Sequence, residues 1–200
     1  MNLSSETKPA TLMGQEMKSQ ILKNAVTLFA QKSYHGTSMT SIAKTCGITK
    51  ASLYHYFKTK TDLLDYIYET VNLSLSEALK NSSDKTLSTE RRLAKIVYAQ
   101  VEHQIEFHPF LAVFWRERFQ LDDATRKRVR AREKIFEKTL ENLILEGQQS
   151  GIFRKFDLEI ALPAIFGVLN TVYRWAPRRN TKIDVVAKEI LDFILNGISN

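Results

Sequence analysis

Between positions 40 and 60 the chain concentrates side chains suited to gripping a run of phosphates. Lys44, Lys50 and Lys60 bring positive charge, and a lysine that neutralises a phosphate gains by releasing the counterions condensed there. Thr40, Tyr54 and His55 bring hydrogen-bond donors for phosphate oxygens, contacts that position a protein without reading sequence. Lys50, Ser52 and Tyr56 are placed to reach base edges, the contacts that do read sequence. Thr49 joins this DNA-facing set and can also cap a helix. Each residue has a plainer alternative. Tyr54 and Tyr56 are also good core aromatics with polar tips, single lysines are commonly just solvated, and His55 is equally at home as a satisfied helix histidine.

Two short helices and a tight turn must hold these groups. Ser38 is a capping residue ahead of a helix predicted from Met39 to Cys46, Gly47 turns the chain, and Thr49 caps a third helix from Lys50 to Phe57. Ile42, Ala43, Ile48, Leu53 and Phe57 are spaced to lock these two helices at a fixed angle. That is the layout of a helix-turn-helix reader of duplex DNA. Ahead of it, Ile21, Leu22, Ala25, Leu28 and Phe29 form the stripe of a first helix from Glu16 to Lys32, and Gly36 is expected to supply a left-handed helix exit. Behind it, Thr59–Asp62 reads as a capping box for a long fourth helix from Lys60 to about Leu79.

Helical periodicity continues to the end of the chain and strand alternation is nearly absent. A loop is expected at residues 81–84. A fifth helix runs from Thr89 to Phe107, a sixth from Pro109 to Trp115, and a seventh opens at Asp122 or Asp123 and closes near Gly147–Gly151. An eighth runs from a cap at Asp157 to Trp175, with Pro163 inside it. The ninth carries the stripe Ile183, Val186, Ala187, Ile190, Leu191, Ile194 and Ile198. The fold class is therefore all-α with about nine helices. The organisation is a loose tail at 1–15, a DNA-binding head at 16–62 and a larger body at 63–200.

The 200 residues carry a net charge of +7 and are 44 % apolar, enough for a substantial core beside a basic surface. Residues 16–62 hold seven lysines against Glu16 and Asp62. This favours an anionic partner. Cys46 is the only cysteine, which excludes an internal disulfide, favours a cytoplasmic location and reads as a small buried packing residue. No apolar run reaches the roughly 18 residues a membrane span needs, so no membrane partner is expected. There is no Gly-x-Ser-x-Gly elbow, phosphate-cradling glycine loop or Cys–His pair, and enzymatic activity is not expected. His103, Glu106 and His108 lack the spacing and further ligands of a zinc site, so no metal is expected.

From Ile21 to Leu64 the chain resembles the TetR family of transcriptional regulators. The resemblance lies in Gly36-Thr37, Ile42-Ala43, Gly47-Ile48-Thr49, Leu53-Tyr54-His55-Tyr56-Phe57, and Lys60 followed by Leu63. Cys46, Ala51 and Ser41 depart from the family's common Ala, Gly and acidic residue. The resemblance implies a repressor that binds double-stranded operator DNA as a homodimer, with recognition helices about one DNA turn, roughly 34–36 Å, apart. It also implies release by a small molecule and a dimer seam made by helices eight and nine. The apolar run Leu162–Leu169 independently calls for burial on all sides of helix eight.

Glu146-Gly147 through Gly151-Ile-Phe-Arg, and Phe166–Asn170 with Tyr173-Arg-Trp175, resemble the subgroup that senses fatty-acyl or related acyl-CoA thioesters. No cofactor is expected beyond such an effector. Candidate pocket walls are Val97, Val101, Ile105, Trp115, Phe136, Leu140, Phe166, Asn170 and Tyr173, all of which serve equally well as plain core. Arg174 is a candidate for the CoA phosphates, as are Arg178 and Arg179, because guanidinium forks match phosphate geometry. The alternatives are a regulator of the same type that senses drugs or other lipophilic or aromatic compounds, and a non-specific architectural DNA binder.

Overall fold

The structure is a computed structural model that describes the backbone of residues 8–80 and 84–199 and the side chains of 14–71 and 84–199. The first seven residues of the expected tail, positions 81–83 of the expected loop and residue 200 lie outside the described residues. Ten α-helices are found among those described: α1 (Lys8–Lys32), α2 (Met39–Thr45), α3 (Lys50–Tyr56), α4 (Lys60–Lys80), α5 (Thr89–Glu106), α6 (His108–Glu117), α7 (Asp123–Gln149), α8 (Leu158–Leu169), α9 (Val172–Trp175) and α10 (Ile183–Ile198). α1 starts at Lys8, eight residues ahead of the expected start at Glu16. The eighth expected helix is broken at Asn170–Thr171, so its last turn is the separate α9. Pro163 lies inside α8, where it leaves the carbonyl of Glu159 without its helical donor.

The caps follow the sequence closely. Ser38 and Ser41 exchange side-chain-to-backbone bonds, both at 3.1 Å, at the start of α2. Thr59 and Asp62 do the same at 3.0 Å ahead of α4. Asp122 accepts from the Thr125 N–H at 2.6 Å, and Asp157 from that of Glu159 at 2.9 Å. The exit of α1 is a correction. Ser33, not Gly36, takes the left-handed conformation, with φ 64°. Gly36 is needed for a different reason: a Cβ there would collide with the Lys32 carbonyl.

The chain forms two compact units. Unit 1 comprises residues up to Ile67 together with Val113–Leu121, so it draws in a piece of α6 that the sequence pattern places in the body. In unit 1, α1 packs on α2 and α2 on α3 around Ile21, Ala25, Phe29, Ile42, Leu53 and Leu63, all fully buried. Arg116 donates to the carbonyls of Phe29 and of Ala30 (3.3 Å) at the end of α1, where helical carbonyls lack partners. Glu117 is buried and accepts from the Tyr34 N–H at 3.2 Å and from Arg116 Nε at 2.9 Å.

Unit 2 is built on α5, which packs against α7, α8, α9 and α10 over one apolar core. Arg92 holds Glu146 at 2.8 and 2.9 Å, tying α5 to α7. Phe153 pairs with Ser199 in an isolated antiparallel bridge, and the Arg154 guanidinium donates to the Gly197 carbonyl at 2.9 and 2.7 Å, closing the end of α10.

Glu117→Ala strands the buried Tyr34 N–H and frees Arg116 from its carboxylate. Urea unfolding should show a loss of about 1–3 kcal/mol, the cost of an orphaned buried polar group. Glu117→Gln, which can still accept from Tyr34, should recover much of it.

Candidate functional site

The head leaves most of its expected residues exposed. Gly47 takes φ 68°, a conformation that side chains resist, and this lets α3 start two residues after the turn. Thr49 caps α3 by accepting from the Ser52 N–H at 3.0 Å. Ile42, Ala43, Leu53 and Phe57 are buried and Ile48 half-buried beneath the two helices. Thr40, Lys44, Thr49, Lys50, Tyr54 and His55 are exposed, and Ser52 and Tyr56 half-buried. The Lys50 ammonium sits 5.7 Å from the Tyr54 ring centroid, and His55 meets Tyr56 edge-on at 5.5 Å. Cys46 is buried and accepts from Asn24 Nδ2 at 3.4 Å, a packing position as expected.

Lys60 has partners of its own. Its ammonium donates to the carbonyls of Tyr34 at 2.7 Å and Thr37 at 2.8 Å and lies 4.3 Å from the Tyr34 ring centroid. Burial lowers its pKa from the ordinary lysine value, and the charge of Glu117 pushes back. Two of its three donors therefore build the α1–α2 loop, leaving one for a phosphate.

In the body the structure separates the pocket candidates. Val97, Val101, Phe136 and Leu140 are buried in one core, and Ile105 and Phe166 pack against it. Phe136 and Phe166 lie 5.4 Å apart. Trp115 is not with them: it belongs to unit 1, where it meets Phe114 edge-on at 5.2 Å beneath the Arg118 guanidinium. Asn170 accepts from Gln100 Nε2 at 2.9 Å, and the Tyr173 N–H donates to Gln104 Oε1 at 3.3 Å. Burial raises the Tyr173 phenol above its ordinary pKa, and the charge of Arg174 opposes this. Arg174, Arg178 and Arg179 are exposed. The arginines of α7 are already paired: Arg126 with Asp123, Arg128 and Arg132 with Glu69, and Arg130 with Glu133 and Glu137. Among the described residues no three His, Cys, Asp or Glu side chains converge as a metal site, and no helix is long and apolar enough to cross a membrane.

Sequence reasoning missed Gln100 and Gln104, and weighed His103 only as a metal ligand. All three are buried. The signal was present as polar residues three and four apart on the apolar stripe of α5, a placement that a plain core helix avoids.

Residues 21–67 match the family described as bacterial regulatory proteins, tetR family, and residues 86–198 match the tetracyclin repressor-like C-terminal domain. The chain is thus a DNA-binding transcriptional regulator and belongs to the TetR family. It is 26 % identical over 185 residues to a fatty acid metabolism regulator protein of Bacillus subtilis (strain 168), covering 90 % of this chain and 95 % of that one. The TetR-family regulator PfmR of Thermus thermophilus superposes with a TM-score of 0.82 at 28 % identity, over 90 % of this chain and 99 % of that one. AibR, solved in complex with isovaleryl coenzyme A and operator DNA, superposes with a TM-score of 0.76 at 25 % identity, over 88 % and 97 %.

Desolvation lowers the pKa of His103 from its ordinary 6.5, and the bond to the Val71 carbonyl only partly offsets this. As pH falls through 6.5 the unfolded chain takes up a proton that the folded chain refuses. Stability at that site is therefore complete above 6.5 and drains away below it, by up to about 1.4 kcal/mol per pH unit, levelling off beneath the folded pKa. Carboxylates such as Glu69 and Glu146, whose values are also lowered, act in a lower window, below their ordinary 4.5. Thermal melts from pH 7.5 to 5 should show this decline, and His103→Asn should flatten it. An equal decline in the variant would rule out His103 as its source.

Proposed function

We propose that this regulator is a homodimeric repressor that leaves its operator when an acyl-CoA thioester binds in the body. The observation that carries this reading is the end-to-end likeness to a fatty acid metabolism regulator. It is supported by the likeness to AibR, whose structure holds isovaleryl coenzyme A together with operator DNA. Thr40, Lys44, Lys50, Tyr54 and His55 form the phosphate-facing surface, and Lys50, Ser52 and Tyr56 read base edges. Lys60 serves mainly to hold the loop that carries α2.

What α8 and α10 leave uncovered supports the homodimer. Ile160 on α8 is 71 % exposed, and on α10 Phe193 is 68 % and Val185 48 % exposed. Pro163, Ala164 and Gly167 extend the α8 surface as small or apolar exposed positions. A second copy of these two helices would bury them in a closed, two-fold seam. α4 and α6 each contain residues of both units, and the chain crosses again between Leu121 and Asp122 ahead of α7, so these three crossings are the covalent routes between effector and head. The effector can shift the DNA-binding equilibrium only by its difference in affinity for the two states. A shift from 1:99 to 99:1 needs about 5.5 kcal/mol.

Site selection on random duplex DNA should return a two-fold symmetric sequence. Gel shifts on it should then be reversed by acyl-CoA and not by free CoA. Reversal by aromatic drugs alone would replace the acyl-CoA reading with a drug-sensing one. Phe193→Glu should convert the protein to monomers by light scattering and weaken operator binding by orders of magnitude, while leaving the helical signal in circular dichroism intact. A variant that stays dimeric would remove α10 from the seam.

A further inference from the structure

α5 spends buried space on polarity. Gln100, His103 and Gln104 are 1, 4 and 2 % exposed, and their spacing puts them on one face of the helix. Each makes one bond within unit 2: Gln100 Nε2 to Asn170 Oδ1 at 2.9 Å, Gln104 Oε1 from the Tyr173 N–H at 3.3 Å, and His103 Nε2 to the Val71 carbonyl at 2.9 Å. A carbonyl only accepts, so Nε2 carries the proton of His103. Desolvation keeps the ring neutral. His103 Nδ1 is therefore a bare lone pair, and Gln100 Oε1 is likewise an acceptor. Both atoms are sealed from solvent, and neither finds a donor among the described residues.

Buried acceptors are nearly always matched, because an unmatched one costs about 1–3 kcal/mol. Here two stand one helical turn apart and ask for the same thing. We propose that Gln100 Oε1 and His103 Nδ1 form a two-acceptor subsite for the effector, which must present hydrogen-bond donors to it: a hydroxyl or an amide N–H carried on an otherwise apolar body. This rests on the reading of the body as a small-molecule sensor and narrows what it senses. A thioester carbonyl, an ether or a carboxylate offers only acceptors and does not fit. The donors an acyl-CoA can offer beside its apolar chain are the amide N–H groups and the hydroxyl of its pantetheine arm, or a hydroxyl on the acyl chain itself. A site that hydrogen-bonds a hydroxyl rejects the analogue lacking it far more strongly than an apolar pocket rejects a missing methylene.

The test uses the full-length protein and probes matched in shape, decan-1-ol against 1-methoxydecane and N-decylacetamide against its N-methyl derivative, with decanoyl-CoA, whose pantetheine arm carries donors, as the effector. By calorimetry the donor-bearing member should bind about ten-fold or more tightly, and Gln100→Leu should erase most of that preference. In the unaltered protein, the same ligand should move the 15N resonance of His103 Nδ1 upfield, a readout that survives if the variant fails to fold. The alcohol and amide pairs tell the hydroxyl source from the amide source. Equal affinity within every pair, or no binding by any donor-bearing probe, overturns the subsite. Operator release by decanoyl-CoA with His103 Nδ1 unmoved overturns the subsite and leaves the sensor reading standing. Donor-selective binding that never affects operator binding upholds the subsite and overturns the sensor reading.

Discussion

The carbonyls at the end of α1 must be answered, and the head is organised around answering them. The last turn of a helix leaves acceptors with no partner in the chain. Arg116 takes those of Phe29 and Ala30, and Lys60 takes those of Tyr34 and Thr37 just beyond. Glu117 pairs with Arg116, holds the Tyr34 N–H as well, and its charge favours the Lys60 ammonium. The two cations come from α4 and α6, so the α1–α2 loop is pinned by segments far from it in sequence. α2 is launched from that loop, and the Gly47 turn and its buried contacts then set α3.

The body solves a different problem. α5 lies among α7, α8, α9 and α10, and a helix so enclosed is expected to be apolar on every covered side. It instead threads Gln100, His103 and Gln104 through that enclosure. The bonds to Asn170 and Tyr173 fall where the eighth expected helix breaks into α8 and α9. The residues that resemble the acyl-CoA-sensing subgroup also have evident packing tasks: Glu146 answers Arg92, Arg154 closes α10, and Asn170 meets Gln100. Their presence reflects the architecture of the body at least as much as its ligand.

Much of this was legible in the sequence because it depends on local chemistry. Caps at Ser38, Thr49, Thr59, Asp122 and Asp157, and the turn at Gly47, are decided within four residues, and they stand as read. What was not legible depends on partners distant in sequence. Nothing near Lys60 says that its ammonium reaches back to Tyr34 and Thr37. Nothing near Trp115 says that it keeps company with the head. Nothing near Arg128 and Arg132 says that Glu69, some sixty positions earlier, holds them both. Gln100 and Gln104 stand out on the apolar stripe, but nothing near them names the distant groups they meet, Asn170 and the Tyr173 N–H.

The solitary thiol has a practical corollary. Cys46 is enclosed at the end of α2, beside Asn24 of α1, so a reagent reaches its sulfur only when those helices part. With no other sulfhydryl in the chain to confuse the signal, the labelling rate is an intrinsic clock for breathing of the DNA-reading unit. It needs no engineered probe and can be read with operator or effector bound.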